Sequence, residues 1–155
     1  MRHPGPDSGF AMLGYAVNGA ARAAFPGVIE LEEKAMERYV DGFLIPIALD
    51  KLERYRELAA LAGTVWKEHG ALDYWECVGD DLDVQEMASF RQAAGAAENE
   101  TVVFSWIAYA SRAERDRINA AVMNDPRIKE SMAAGEHPFD PRRMAYGGFR
   151  TLVVA

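Results

Sequence analysis

The chain has one cysteine, Cys77, among 155 residues, and three histidines spread over the sequence at His3, His69 and His137. One thiol excludes an intrachain disulfide and a cysteine-based metal cluster, and it fits a reducing compartment, so a cytoplasmic protein is expected. No two histidines stand at metal-ligand spacing, which argues against a zinc or non-haem iron site. Basic residues are also few: 17 Lys and Arg against 24 Asp and Glu leave a net charge of −7. A footprint on nucleic acid or on an anionic membrane needs clustered Lys and Arg, and neither partner is expected here. No apolar run approaches the roughly 18 residues that argue for a spanning helix. The mildly apolar Phe10 to Val17 is broken by Gly14 and preceded by one firm positive charge, Arg2, which makes a poor signal peptide. Missing too are a Gly-rich phosphate loop, a nucleophile elbow and a cysteine pair, so no nucleotide, metal or other cofactor is implied.

What is present is a chain half hydrophobic, enough for one domain with a sizeable core. Its most informative stretch is Thr101 to Asn119, TVVFSWIAYASRAERDRIN, where a β-branched and aromatic run turns without a break into a charged helix. Both faces of the run are apolar, which predicts a strand covered above and below. Ser111 opens Ser-Arg-Ala-Glu, a capping box in which the hydroxyl takes the amide of Glu114 and the carboxylate reaches back.

Residues 1–35 carry Gly, Pro and Ala without a sustained period and read as a disordered or falsely prepended leader. Glu32, Glu33 and Lys34 are encoded by purine-rich codons, so the message ahead of Met36 reads as a ribosome-binding tract and Met36 is the expected start. Residues 36–155 then form the single domain. Tyr39 to Ile47 alternates as a strand with Tyr39, Asp41, Phe43, Ile45 and Ile47 on one face, and Pro46 marks an end or an edge. Asp50 is expected to cap a helix running to His69, with Leu52, Tyr55, Leu58, Ala59, Ala62, Val65 and Trp66 on its buried stripe. Leu72 to Val78 is a second strand, and Val84 to Phe90 either a short extra strand or a covering loop. The opening stretch supplies the next strand and helix, Pro126 stops that helix and begins another over Arg127 to Met132, and Met144 to Val154 is the last strand. Gly147 and Gly148 inside it predict a bulge or a close approach of another group.

The order is β-α-β-β-α-β, an α+β fold with a ferredoxin-like antiparallel sheet. Right-handed crossovers put both helices on one face, and the other face, apolar as well, would stand bare. A second copy packed sheet to sheet is the simplest cover, so a homodimer is expected.

The segments YVDGF at 39–43, FSW at 104–106, RD at 115–116, DPR at 125–127, PFD at 138–140 and RMAYGGF at 143–149 together resemble the YbaA-like bacterial family, a domain of unknown function. The resemblance spans Met36 to about Val154 and implies a dimeric α+β barrel, in which two ferredoxin-like sheets pack face to face. It departs at Gln85 and Glu86, where a small-residue turn is usual. Relatives with that barrel include cofactor-independent monooxygenases, isomerase-like and dehalogenase-like enzymes and stress-related proteins, and fold does not select among them.

The candidate site residues follow from chemistry and position. Asp41, an acid in an apolar row, reads either as a general base raised by burial or as a carboxylate paired with an arginine such as Arg143. His69 reads as an acid or base at the barrel mouth or as a helix cap. Trp75, Trp106 and Tyr146 are candidates for lining an apolar ligand cavity, against a plain core role, and Arg143 is a further pocket candidate. Glu76 and Cys77 fall on opposite faces of one strand and do not act together. Two functions remain open: a homodimeric barrel that binds or transforms a small organic molecule without metal or nucleotide, and a non-catalytic dimer serving as an interaction or stress-associated module.

Overall fold

The structure is a computed structural model describing residues 37–135 and 137–155. The expected leader over residues 1–35 and the expected start at Met36 lie outside the described residues. Four strands form one antiparallel sheet: β1 (Tyr39–Ala48), β2 (Asp73–Val78), β3 (Glu100–Tyr109) and β4 (Ala145–Arg150), in the order β2-β3-β1-β4. The two long strands, β1 and β3, are therefore central, and their β-branched and aromatic composition suits burial there.

A 3-10 turn over Leu49–Lys51 leads into α1 (Leu52–Glu68), and α2 (Phe90–Ala94), α3 (Arg112–Asn124) and α4 (Pro126–Ala133) complete the α-helices among the described residues. Asp50 does not cap α1. It sits inside the 3-10 turn, and Lys51, which makes no side-chain cap bond, occupies the capping position. The acid still lies near the positive end of the helix, where its charge is favourable. Ser111 does cap α3, its hydroxyl accepting from the Glu114 amide at 3.1 Å. The expected return bond from Glu114 is replaced by an ion pair with Arg117 one turn along, which leaves half a capping box. Asp125 caps α4 by accepting from the Arg127 amide, and Pro126 occupies the first turn, where its missing N–H costs nothing.

The segment between β2 and β3 holds no extra strand. It is an exposed loop followed by α2, which Ser89 caps and Gly95 closes at φ +64°. The turn at Gln85 and Glu86 puts Glu86 at positive φ, an uncommon conformation for a residue with a Cβ. The last strand is shorter than its apolar run, ending at Arg150; Thr151 is held by bonds to the Arg38 carbonyl, and Leu152 to Val154 are exposed. Gly147 and Gly148 form no bulge, because β4 pairs with β1 in unbroken register from Leu44↔Ala145 to Tyr39↔Arg150. They serve close approach instead. A Cβ on Gly148 would stand 2.9 Å from the Tyr39 ring, and one on Gly42, which faces Gly147 across the ladder, 3.1 Å from Phe149.

The core lies between the sheet and the helices in two adjoining clusters. One joins Val65, Ala71, Ile107, Tyr109, Ile118, Val122 and Ile128, and the other Ile45, Ile47, Tyr55, Ala59 and Val103. The opposite face of the sheet carries Val40, Leu44, Phe104, Trp106 and Trp75 across three strands, as the register requires. No described element covers it fully: Trp75 is 55% exposed, Phe104 45% and Phe149 60%. Trp75 stacks on Trp106 at 5.7 Å, Trp106 meets Phe104 at 5.5 Å, and Phe104 meets Phe90 of α2 at 6.0 Å, one aromatic row along the bare face.

Candidate functional site

The alternation of β1 turns Asp41 toward the helices, beside Phe43 and Ile45, where it is 0% exposed. Its Oδ2 accepts from Asn119 Nδ2 at 3.1 Å, and Asn119 is fixed in turn because its Oδ1 accepts from the Tyr109 hydroxyl at 2.9 Å and from Trp66 Nε1 at 3.0 Å. Asp41 Oδ1 lies 3.7 Å from Arg115 Nη1, too long for a hydrogen bond, and has no hydrogen-bond partner among the described residues. Arg115 is pinned from its other side: Nη1 donates to the Tyr146 hydroxyl at 2.8 Å, Nη2 to the Tyr39 hydroxyl at 3.2 Å, and the guanidinium rests 4.9 Å over the Tyr39 ring. The bare edge of Gly148 admits that ring. Burial alone would lower the guanidinium, but the Asp41 charge and the neighbouring phenols and Asp116 outweigh it, so Arg115 stays firmly cationic.

A second polar cluster rises from β2. Tyr74 and Glu76 alternate onto the helix-facing side, and Glu76 accepts from the Tyr55 hydroxyl of α1 at 2.6 Å and from the Tyr74 hydroxyl at 2.8 Å. Burial pushes the Glu76 carboxyl above its ordinary range, against the opposing pull of hydrogen bonds from Tyr55, Tyr74 and Ser105. Burial also raises Tyr55, Tyr74 and Tyr109, whose phenols remain protonated through the physiological range.

Both clusters open onto one cavity of about 540 Å³ between the sheet and the helices. Its floor is Phe43, Ile45, Ser105 and Ile107, its helix wall Leu58, Ala62 and Trp66, and its far rim Met123, Met132, Phe139 and Met144. A second space of about 800 Å³ runs outside, between α1 and the free edge of β2. Tyr55, Ala59, Tyr74 and Glu76 border both spaces, so the Glu76 cluster is the partition between them. Asp41 pairs with Ile107 on β3, and Ser105 of the same strand pairs with Glu76. Two strand spacings and a two-residue offset put the Cα atoms of the two acids about 12 Å apart. They are opposite poles of one cavity and not a couple acting on one bond.

The sequence-derived candidates divide across the molecule. Asp41 and Tyr146 line the cavity together. Trp75 and Trp106 stack on the bare face of the sheet, behind the cavity floor. His69 caps α1 and lies 3.0 Å from Asp125 Oδ2, a contact that ties α1 to the start of α4 and lies outside the cavity lining. Arg143 pairs with Glu100, whose carboxyl its hydrogen bond holds down to about 2, and borders a separate space of about 300 Å³ with His137. The arginine beside Asp41 is therefore Arg115 and not Arg143, because α3 crosses the end of β1 while Arg143 lies beyond the start of β4. Tyr55, Tyr74, Arg115 and Asn119 escape a reading by catalytic motif. A signal existed: Arg115 and Asn119 are polar residues in the stripe that Ile118 and Val122 bury. Among the described residues, no three His, Cys, Asp or Glu side chains group as metal ligands.

The motifs distributed over these strands and helices match a known family. A family described as "Protein of unknown function (DUF1428)" matches residues 38–141, two thirds of the chain and all of the cavity lining except Met144 and Tyr146. The chain belongs to this family. It is 48% identical over 117 residues to "Uncharacterized protein YbaA" of Escherichia coli strain K12, covering 75% of this chain and 97% of the relative. The protein of the same name in Shigella flexneri matches to the same extent. The Asp41 and Glu76 poles and the helices that hold them thus lie within the part shared with this DUF1428 family.

Proposed function

We propose that the chain is a cytoplasmic, homodimeric bacterial protein whose cavity binds, and in a catalytic form transforms, a small organic molecule without metal or nucleotide. The observation that carries this reading is the cavity of about 540 Å³ between sheet and helices, apolar except for Asp41, Glu76, Ser105, Asn119, Ser131 and four phenols. Small-molecule sites have this composition and this size, with few polar groups set in apolar walls. The strand order β2-β3-β1-β4 and the crossover connections around it support a ferredoxin-like topology, and the aromatic row on the bare face supports its completion as a dimeric α+β barrel. No described helix is long and apolar enough to cross a membrane.

One observation favours the second reading, a non-catalytic interaction or stress-associated dimer: Asp41, Asn119, Tyr109 and Trp66 bond largely to one another, as a structural network does. Native mass spectrometry of the purified full chain separates the readings. A dimer carrying a retained organic molecule, or taking one up from a metabolite extract at the expense of the empty form, is the expected result. A monomer at micromolar concentration overturns the barrel, and a dimer that takes up nothing leaves the interaction module.

A further inference from the structure

Asp41 Oδ1 is a fully buried carboxylate oxygen with no hydrogen-bond partner among the described residues, and its residue lines the cavity. An orphaned acceptor of this kind costs about 1 to 3 kcal/mol, more for a charged group, unless something donates to it. Beside it stands Tyr146, also in the cavity wall; its oxygen accepts from Arg115, and its own O–H, which faces Asp41, can turn to that carboxylate or to a group in the cavity. One end of an apolar cavity therefore offers an acceptor and a donor side by side.

We propose that the cavity takes a mainly apolar small molecule bearing a neutral hydroxyl group, which donates to Asp41 Oδ1 and accepts from Tyr146. This inference rests on the small-molecule reading above and adds the ligand's chemical class. A hydroxyl matches because it both donates and accepts at one atom. A carboxylate or phosphate would bring a second anion against Asp41, while Arg115 is committed to Tyr146 and Tyr39 and does not line the cavity. An ammonium would face an acid whose charge is already compensated by Arg115 at 3.7 Å. A plain hydrocarbon would bury Oδ1 still unpaired. Water is the competing occupant, and it becomes the ligand's rival once the apolar body fills the rest of the space.

The test uses the intact protein and four bicyclic probes: 2-naphthol, 2-methoxynaphthalene, naphthalene and 2-naphthoate, with affinities from isothermal titration calorimetry or ligand-observed NMR. The expected order places 2-naphthol at least tenfold tighter than its methyl ether, which keeps the acceptor and loses the donor, and tighter than naphthalene and 2-naphthoate. Asp41→Asn is expected to reduce the naphthol preference to within about threefold while naphthalene binds as before. Should that variant fail to fold, the comparison of naphthol with its ether in the wild-type protein still decides. Equal binding of naphthol and ether, or tightest binding of the naphthoate, overturns the hydroxyl assignment and leaves the cavity as a ligand site. Binding of none of the four up to their solubility overturns the small-molecule reading itself.

Discussion

Asn119 holds more of the site together than either acid does. Its carboxamide oxygen takes hydrogen bonds from Tyr109 and Trp66 while its nitrogen donates to Asp41, so one side chain joins α1, α3, β1 and β3. Asn119→Leu would keep the volume and strand three buried polar groups. The expected loss is about 2 to 4 kcal/mol, since each orphaned buried group costs about 1 to 3 kcal/mol and some relax toward water. Urea denaturation checks it, and a loss below 1 kcal/mol would mean that the network is not formed. Glu76 makes a prediction of opposite sign. Its carboxyl is raised in the folded protein by burial, so the folded state binds the proton more readily than the unfolded chain. The stability that Glu76 contributes is full below its ordinary value of 4.5 and is lost as pH rises toward its folded value. Glu76→Gln removes the titration, and the stability of wild type relative to this variant should fall as pH goes from about 4.5 to 7. A difference that is flat across that interval, or that grows, would contradict the burial of this carboxyl. At this scale the sequence was legible only where one strand spoke for itself. Asp41 stood out because it interrupts an apolar alternation, whereas its partner could not be named, since Arg115 and Arg143 are both within reach of a folded strand and only the path of α3 chooses between them.

The elements were more readable than their partners, for a physical reason: caps and periods are local, and pairings are not. Ser111 terminates β3 and begins α3 as its side chain dictates, and Pro126 with Asp125 divides α3 from α4. Misplaced elements have identifiable causes. The apolar tail Leu152 to Val154 reads as strand by composition, yet β4 ends at Arg150, Thr151 turns both its amide and its hydroxyl to the Arg38 carbonyl, and the three apolar residues after it stand exposed. The α2 helix, Phe90–Ala94, is too short for a period and announces itself only through Ser89 and Gly95. Asp50 looked like a cap because the apolar stripe begins right after it, but a 3-10 turn intervenes and moves the first full helical turn one step on. The capping of α3 can be tested in its two halves. Ser111→Ala should cost about 1 kcal/mol by loss of the bond to the Glu114 amide. Glu114→Gln should leave the midpoint of urea unfolding nearly unchanged, because its carboxylate faces Arg117 in solvent and does not return to the Ser111 amide. A Glu114 variant as destabilised as the Ser111 variant would restore the full capping box.

For the whole molecule, the informative quantity is apolar surface on the side of the sheet without helices. Trp106 shows the difference that a partner chain would make. In one chain it is half-buried, stacked on an exposed Trp75 and against an exposed Phe104, with Gly42 opposite it on β1 offering no side chain to pack. Truncation there removes contacts mainly with other surface groups and should cost only about 1 kcal/mol, within the ordinary range for point substitutions. In a face-to-face dimer the same indole would be interior, and Trp106→Ala would cost about 3 to 5 kcal/mol, as large aromatic truncations in cores do. The two cases also differ in form. A dimer's stability depends on protomer concentration, so the unfolding midpoint of wild type should rise with concentration over two decades, and that of Trp106→Ala should rise less or begin from monomer. Phe104→Glu places a charge at the centre of the same row and should dissociate the protein in sedimentation equilibrium while leaving far-ultraviolet circular dichroism nearly intact, because its ring touches Trp106 and, among the helices, the edge of Phe90 in the five-residue α2. The cavity lies on the opposite side of the sheet, so a monomeric Phe104→Glu protein should still bind a hydroxylated bicyclic probe within about threefold of wild type. Loss of binding together with loss of the dimer would mean that the second copy shapes the cavity, through the backs of Asp41, Phe43 and Ser105 in the strands that carry both faces.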